Sequence, residues 1–190
     1  MNTLIRRTRL RRALALLIAF VVASTGTVAG TASPAHAGLI DWVDSLEGPT
    51  PWATWEGGGQ GDGVAGYDIN GGVAYSGLND GWLYVGNGWA ANRIRKPLAS
   101  MSPRFNCSAA VWFNVLASGA QVGLQIWDPN GWRVIAETYP WVAGGGYRQV
   151  YITGLNLQSY GEIYLQVIYG NNNGVRTYIR FDHMQLQCHY

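Results

Sequence analysis

Several short segments of this chain set an aromatic ring beside a side-chain amide on the face that their apolar residues leave free. In 121–127, Val122, Leu124 and Ile126 alternate with Gln121, Gln125 and Trp127. In 107–116, Val111, Phe113 and Val115 leave Trp112 and Asn114 opposite, and in 148–153 Val150 and Ile152 leave Gln149 and Tyr151. In 162–169, Ile163, Leu165 and Val167 leave Tyr164 and Gln166. Successive side chains of a strand point to opposite faces, so if the apolar rows face a core, these residues point away from it. A merely solvated face favours Lys, Glu and Thr. Rings with amides suit sugar: the C–H face of a pyranose stacks on Trp or Tyr, and Gln and Asn both donate to and accept from its hydroxyls. The competing use of each ring is structural, as a cross-strand partner or a cover for the sandwich edge.

Catalytic chemistry is poorly supplied. Beyond residue 37 the histidines are His183 and His189, and His189 adjoins the C-terminus. Asp182 and His183 are neighbours on an expected strand, which predicts that they point to opposite faces and do not pair. There is no Gly-x-Ser-x-Gly nucleophile elbow and no His cluster at metal-ligand spacing. Glycoside hydrolysis needs two carboxylates flanking one bond, and no spacing joins two of Glu47, Glu56 and Glu162 on one strand face. The expectation is a protein that is not an enzyme. A small hydrolase with an inconspicuous site is the third-ranked reading.

The elements that must carry these side chains are strands. Runs of five to nine residues with period-two alternation recur between turn signals (Asn70-Gly71, Asn130-Gly131, Asn173-Gly174), the pattern of an all-β sandwich or barrel. Strands are expected over 42–47, 64–69, 72–75, 82–85, 93–98, 107–116, 121–127, 133–138, 148–153, 162–169 and 175–187. No helical stripe, repeat or linker interrupts them, so residues 38–190 read as one domain.

Residues 1–37 read as a secretory signal peptide: Arg6, Arg7, Arg9, Arg11 and Arg12, then an apolar run from Ala13 to Val28, then Ala35-His36-Ala37. Sec and twin-arginine export are both open. Those residues hold five of the 13 basic side chains and none of the 11 acidic ones, so the exported part carries a net charge of −3. That argues against nucleic acid and against an anionic membrane surface as partners. Cys107 and Cys188 are the only cysteines, and in an oxidising compartment they read as one disulfide. Closing a loop of about 80 residues would contribute roughly 4–5 kcal/mol in the chain-entropy account. Their Cα atoms should lie within about 4.4–6.8 Å.

Five stretches together carry a family likeness. Leu46-Glu47-Gly48 precedes Trp52 and Trp55; Tyr75-Ser76-Gly77 and Asn92–Leu98 follow; then come Ala110–Val115 and Tyr178–Met184. This pattern resembles the secreted jelly-roll carbohydrate-binding modules attached to bacterial cellulases and xylanases, with the galactose-binding-like fold. His183 stands where the family usually has a second closing Asp, and Tyr147 where a strand usually opens with Trp. The resemblance implies an all-β, two-sheet antiparallel sandwich, a polysaccharide partner, and a structural calcium held by Glu47 and Asp182 with backbone carbonyls. It implies, too, that a separate secreted enzyme supplies the catalysis. Taken together, the expectation is a secreted, monomeric, non-catalytic carbohydrate-binding protein. Gln125 and Trp127 would form the centre of its site, flanked by Trp112, Tyr164 and Gln166, with Trp132 and Trp89 as loop alternatives. The runner-up is a secreted protein-interaction or surface-structural domain on the same fold.

Overall fold

The computed structural model describes residues 38–48, 53–56, 61–71, 73–115 and 118–189. The expected signal peptide and Trp52 lie outside the described residues, and of Trp55 only the backbone position is described.

Among the described residues, twelve strands form two antiparallel sheets. They are β1 (Leu39–Asp44), β2 (Ala53–Glu56), β3 (Val64–Asp68), β4 (Asp80–Val85), β5 (Gly88–Pro97) and β6 (Cys107–Val115), followed by β7 (Ala120–Asp128), β8 (Arg133–Thr138), β9 (Trp141–Val142), β10 (Tyr147–Leu155), β11 (Glu162–Asn171) and β12 (Thr177–His189). Sheet A runs β10-β6-β12-β4-β3, with β1 also paired to β12; sheet B runs β2-β5-β11-β7-β8, with β9 paired to β7. The apolar rows read from the sequence do face inward. Val111, Phe113, Ile179 and Phe181 of sheet A join one buried cluster with Leu124, Ile126, Leu165 and Val167 of sheet B.

The long last strand shows why sheet A has this shape. Its first half pairs with β4 and its second half with β1, along one edge, while β6 runs the full length of the other. Between Asp182 and Gln185 the β6–β12 ladder slips, and His183 takes a positive φ of 54°. Such a bulge inserts unpaired residues and breaks the strict alternation of faces.

Cys107 and Cys188 sit directly opposite each other in the β6–β12 register and form a disulfide. Their Cα atoms are 4.0 Å apart, below the expected range of about 4.4–6.8 Å and nearest to the roughly 4.5 Å spacing of directly opposed, non-hydrogen-bonded residues in an antiparallel ladder.

The strands differ from expectation in several places. β5 begins at Gly88 and not at 93, so Trp89, expected in a loop, lies on a strand. No strand forms over 73–75, whose residues instead cross over sheet A. The first strand ends at Asp44, with Leu46 at φ 62°. Two short strands, β2 and β9, carry too few residues for their alternation to show.

Candidate functional site

Register on sheet B gathers four of the five expected site residues. Trp127 lies opposite Tyr164 and Gln125 opposite Gln166 across β7 and β11. On the far side of β11, Arg95 lies opposite Tyr164 and Arg93 opposite Gln166, while on β8 Glu137 lies opposite Gln125. The outer face therefore carries two cross-strand rows, an aromatic one through Trp127 and Tyr164 and a polar one from Glu137 through the two glutamines to Arg93.

Hydrogen bonds lock the polar row. Gln166 Nε2 donates to Gln125 Oε1 at 2.6 Å, and the Trp127 indole N–H donates to the same oxygen at 3.1 Å. Gln125 Nε2 donates to Glu137 Oε2 at 2.8 Å and reaches the Tyr139 hydroxyl at 2.7 Å, and that hydroxyl donates to Glu137 at 3.1 Å. Burial and then the Glu137 carboxylate push the Tyr139 phenol up to about 12, so it stays a donor. The two amides are 5% and 1% exposed, for Gln125 and Gln166 respectively, and so form a fixed floor rather than an open surface. Gln166 Oε1 has no hydrogen-bond partner in that floor.

The rim is aromatic and charged. Trp132, a residue of the turn after β7, is 62% exposed and held at φ 47°, a conformation that bulky residues rarely adopt. Strain of this kind persists only where surroundings impose it, and it clusters at functional sites. The Arg93 guanidinium lies over both the Tyr164 ring, at 4.5 Å, and the Trp132 ring, at 5.4 Å. Beyond them Arg95 and Glu162 form a two-pronged ion pair. At the other end Tyr139 lies against Gly123, where a Cβ would come within 2.5 Å of its ring. The glycine lets that ring close down onto the sheet.

Trp112, the fifth expected residue, is on the other sheet, because β6 belongs to sheet A and β7 to sheet B. Its ring stacks on Tyr75 at 5.0 Å and meets His183 edge-on at 4.8 Å. Beside this group Arg180 Nη1 bridges Asp68 at 2.7 Å and the fully buried Asp80 at 2.6 Å. Burial raises the Asp80 carboxyl even against Arg180. Trp82 and Tyr178 stack over the same strands at 5.5 Å.

Asp182 and His183 do not point apart as alternation predicted. Both approach the Ser76 hydroxyl, Asp182 Oδ2 at 3.5 Å and His183 Nδ1 at 3.4 Å, because the bulge turns the strand between them. Asp182 also accepts the backbone N–H groups of Ser76 and His183. Burial outweighs these donors and pushes its carboxyl up to about 6. Glu47 accepts the N–H groups of Leu78 and Asn79 through one oxygen, Oε1. The two carboxylates named for calcium thus clasp one segment, 76–79, by hydrogen bonds. Among the described residues no three His, Cys, Asp or Glu side chains cluster as metal ligands. A hard cation there would draw on Glu47 Oε2 and backbone carbonyls.

Sequence reasoning missed Glu137, Tyr139 and Arg93. The β7–β8 ladder slips between Ile126 and Trp127, so the face of β8 residues is not readable from alternation. Tyr139 lies beyond the end of β8, where no parity applies.

No protein-family model matches the chain, and no curated protein does. Solved structures do match in fold. A family 11 carbohydrate-binding module from Clostridium thermocellum, in complex with a β-1,3-1,4-mixed-linked tetrasaccharide, aligns with a TM-score of 0.53 at 13% identity, over 79% of this chain and 95% of that one. A C-terminal family 22 carbohydrate-binding module of the same organism aligns with a TM-score of 0.52 at 15% identity, over 76% and 90%. An exo-β-agarase aligns with a TM-score of 0.53 at 10% identity, over 75% of this chain but 24% of the enzyme. The two-sheet jelly roll of this chain is the fold of those modules.

Proposed function

We propose that the chain is an exported, non-catalytic protein that binds a polysaccharide on the outer face of sheet B. The observation that carries this reading is the Trp127–Tyr164 pair, side by side on neighbouring strands beside a floor of hydrogen-bonded amides. Because that floor is fixed before any ligand arrives, little ordering cost falls on binding. Trp132 at the rim, the Tyr139 hydroxyl and Glu137 supply an exposed ring and polar atoms within reach of a sugar's hydroxyls. The shared jelly-roll fold supports the same reading, since the family 11 module was solved in complex with a β-1,3-1,4-mixed-linked tetrasaccharide.

The carboxylates of this face are spent on neighbours, Glu162 on Arg95 and Glu137 on Gln125 and Tyr139, which favours binding over hydrolysis. The disulfide supports an oxidising destination. A monomeric state and a separate secreted enzyme acting on the bound polymer complete the proposal.

The test is retention on insoluble cellulose, xylan, chitin and peptidoglycan. One of these should retain the protein, and Trp127→Ala should weaken retention by about 30-fold, the loss of an interface anchor worth about 2 kcal/mol. Retention unchanged by that substitution removes Trp127 as the platform. No retention on any polymer favours a protein partner instead.

Calcium at Glu47 and Asp182 is a subsidiary proposal, supported by their convergence on segment 76–79. A cation bound only by the folded state raises the melting temperature by mass action, so chelator and excess calcium should give different melting curves.

A further inference from the structure

A groove of about 520 Å³ opens at the opposite end of β7 from Trp127, between the start of β7, β9 and the β11–β12 turn. Gln121 and Trp127 are six residues apart on one strand, which at about 3.4 Å per residue separates the two places by roughly 20 Å. Between them the Tyr139 ring closes down over Gly123, so the groove is not a continuation of the sheet-face site.

Its lining is distinctive. Trp141 is 67% exposed, more than Trp132 at 62%, and register sets it beside Gln121. Gly119, at φ 76°, makes its seat: a Cβ there would come within 2.6 Å of the Trp141 indole nitrogen. One edge of the ring is therefore held while its face stays open. Among the described residues, no Asp, Glu, Lys or Arg lines the groove.

The facing wall is an Asn171-Asn172-Asn173-Gly174 turn that builds itself. Asn171 Nδ2 donates to Val175 O at 2.7 Å and to Val85 O at 3.2 Å. Asn173 Oδ1 accepts from Val175 N at 2.8 Å, and Asn172 Oδ1 accepts from Gly88 N at 3.3 Å. These bonds use the acceptor ends of Asn172 and Asn173 and leave their Nδ2 groups as donors. Across the groove Gln121 spends Nε2 on the Tyr139 carbonyl, which leaves Oε1 as an acceptor.

We infer that this groove is a second binding site, independent of the sheet face, for one or two uncharged sugar units. An open indole face takes the C–H side of a pyranose, and amide donors and an acceptor around it take hydroxyls of both senses. The lack of formal charge selects a neutral ligand, since nothing would pair an anionic or cationic one. The volume falls within the ~300–1,000 Å³ typical of small-ligand sites, and the preformed wall lowers the cost of binding.

The experiment follows the assigned indole N–H resonances of the full chain by NMR during titration with cellotetraose, xylotetraose, chitotetraose and tri-galacturonate. The Trp141 signal should move saturably with at least one neutral sugar, equally in wild type and in Trp127→Ala. The same titration should weaken at least 10-fold in an Asn172→Ala/Asn173→Ala variant whose other indole signals keep their positions. A Trp141 signal unmoved by every neutral sugar overturns the inference, whether or not Trp127 responds. So does a shift that vanishes in Trp127→Ala, which would mark transmission from the sheet face, or an equal response to tri-galacturonate. The Trp127 signal reports separately on the sheet-face reading.

Discussion

On the outer face of sheet B, Trp127 and Tyr164 stand in register beside buried amides, and Arg93 lies over the Tyr164 and Trp132 rings. On the outer face of sheet A, Trp112 stacks on Tyr75 and meets His183, Trp82 stacks on Tyr178, and Arg180 ties Asp80 to Asp68 among them. The side chains are of similar types. What differs is what holds them. A ring stacked on another ring contributes packing through its face, whereas a ring tied by its edge through an N–H bond is oriented by a polar floor. Trp127 is held in that way by Gln125, and Trp112 is not.

Substitutions that hit one face and spare the other sharpen the contrast. The largest effect should come from Asp80→Ala. Removing a fully buried partner leaves Arg180 with Asp68 alone, and thermal or denaturant unfolding should show a loss of about 2–4 kcal/mol. This is below the cost of a wholly unpaired buried charge because Asp68 remains. Polysaccharide retention, measured below the variant's melting temperature, should be unchanged; a parallel loss of retention would show that the two faces are coupled.

Asp182 makes sheet A sensitive to pH. Its carboxyl titrates near 6 in the folded chain and near 3.9 when unfolded, so the folded state holds the proton more tightly. The stability this contributes is complete below about pH 4 and is lost as pH rises through 6, about 2–3 kcal/mol in all. Asp182→Asn cannot titrate, so its stability relative to wild type should rise across that window and level off above it. A flat difference would place the group in water. Retention on sheet B should not follow this slope.

Trp112→Ala should give the smallest of these losses, about 2 kcal/mol of stability for a half-buried stacked ring, with full retention. It is the mirror of Trp127→Ala, which should cost retention first. If both variants lose retention equally, rings on both sheets contribute to binding and the distinction drawn between the two faces fails.

How much of this was legible beforehand varies by element. Alternation in 121–127 and 162–169 correctly sent Gln125, Trp127, Tyr164 and Gln166 outward, since apolar side chains at every second position must be buried together. The same alternation misjudged Asp182 and His183, where the bulge inserts a residue and cancels the period. It was silent on Tyr139, which reaches the site from beyond the end of its strand. It also overstated the openness of the amides, because outward means away from the core, and neighbouring outward side chains can still bury one another.

The amino-acid sequence by itself determined the all-β class, the outward parity of the candidate residues and the pairing of the only two cysteines. These follow from local periodicity and from counting, which need no knowledge of which strands meet. Tertiary structure alone decided that β6 and β7 lie in different sheets, and hence that Trp112 and Trp127 share no site. It decided as well that Glu137, Arg93 and Trp132 join Trp127, and that Trp141 faces an asparagine turn some 30 residues along the chain. Strand order is set by the sum of many cross-strand contacts between distant segments, and no single segment carries it.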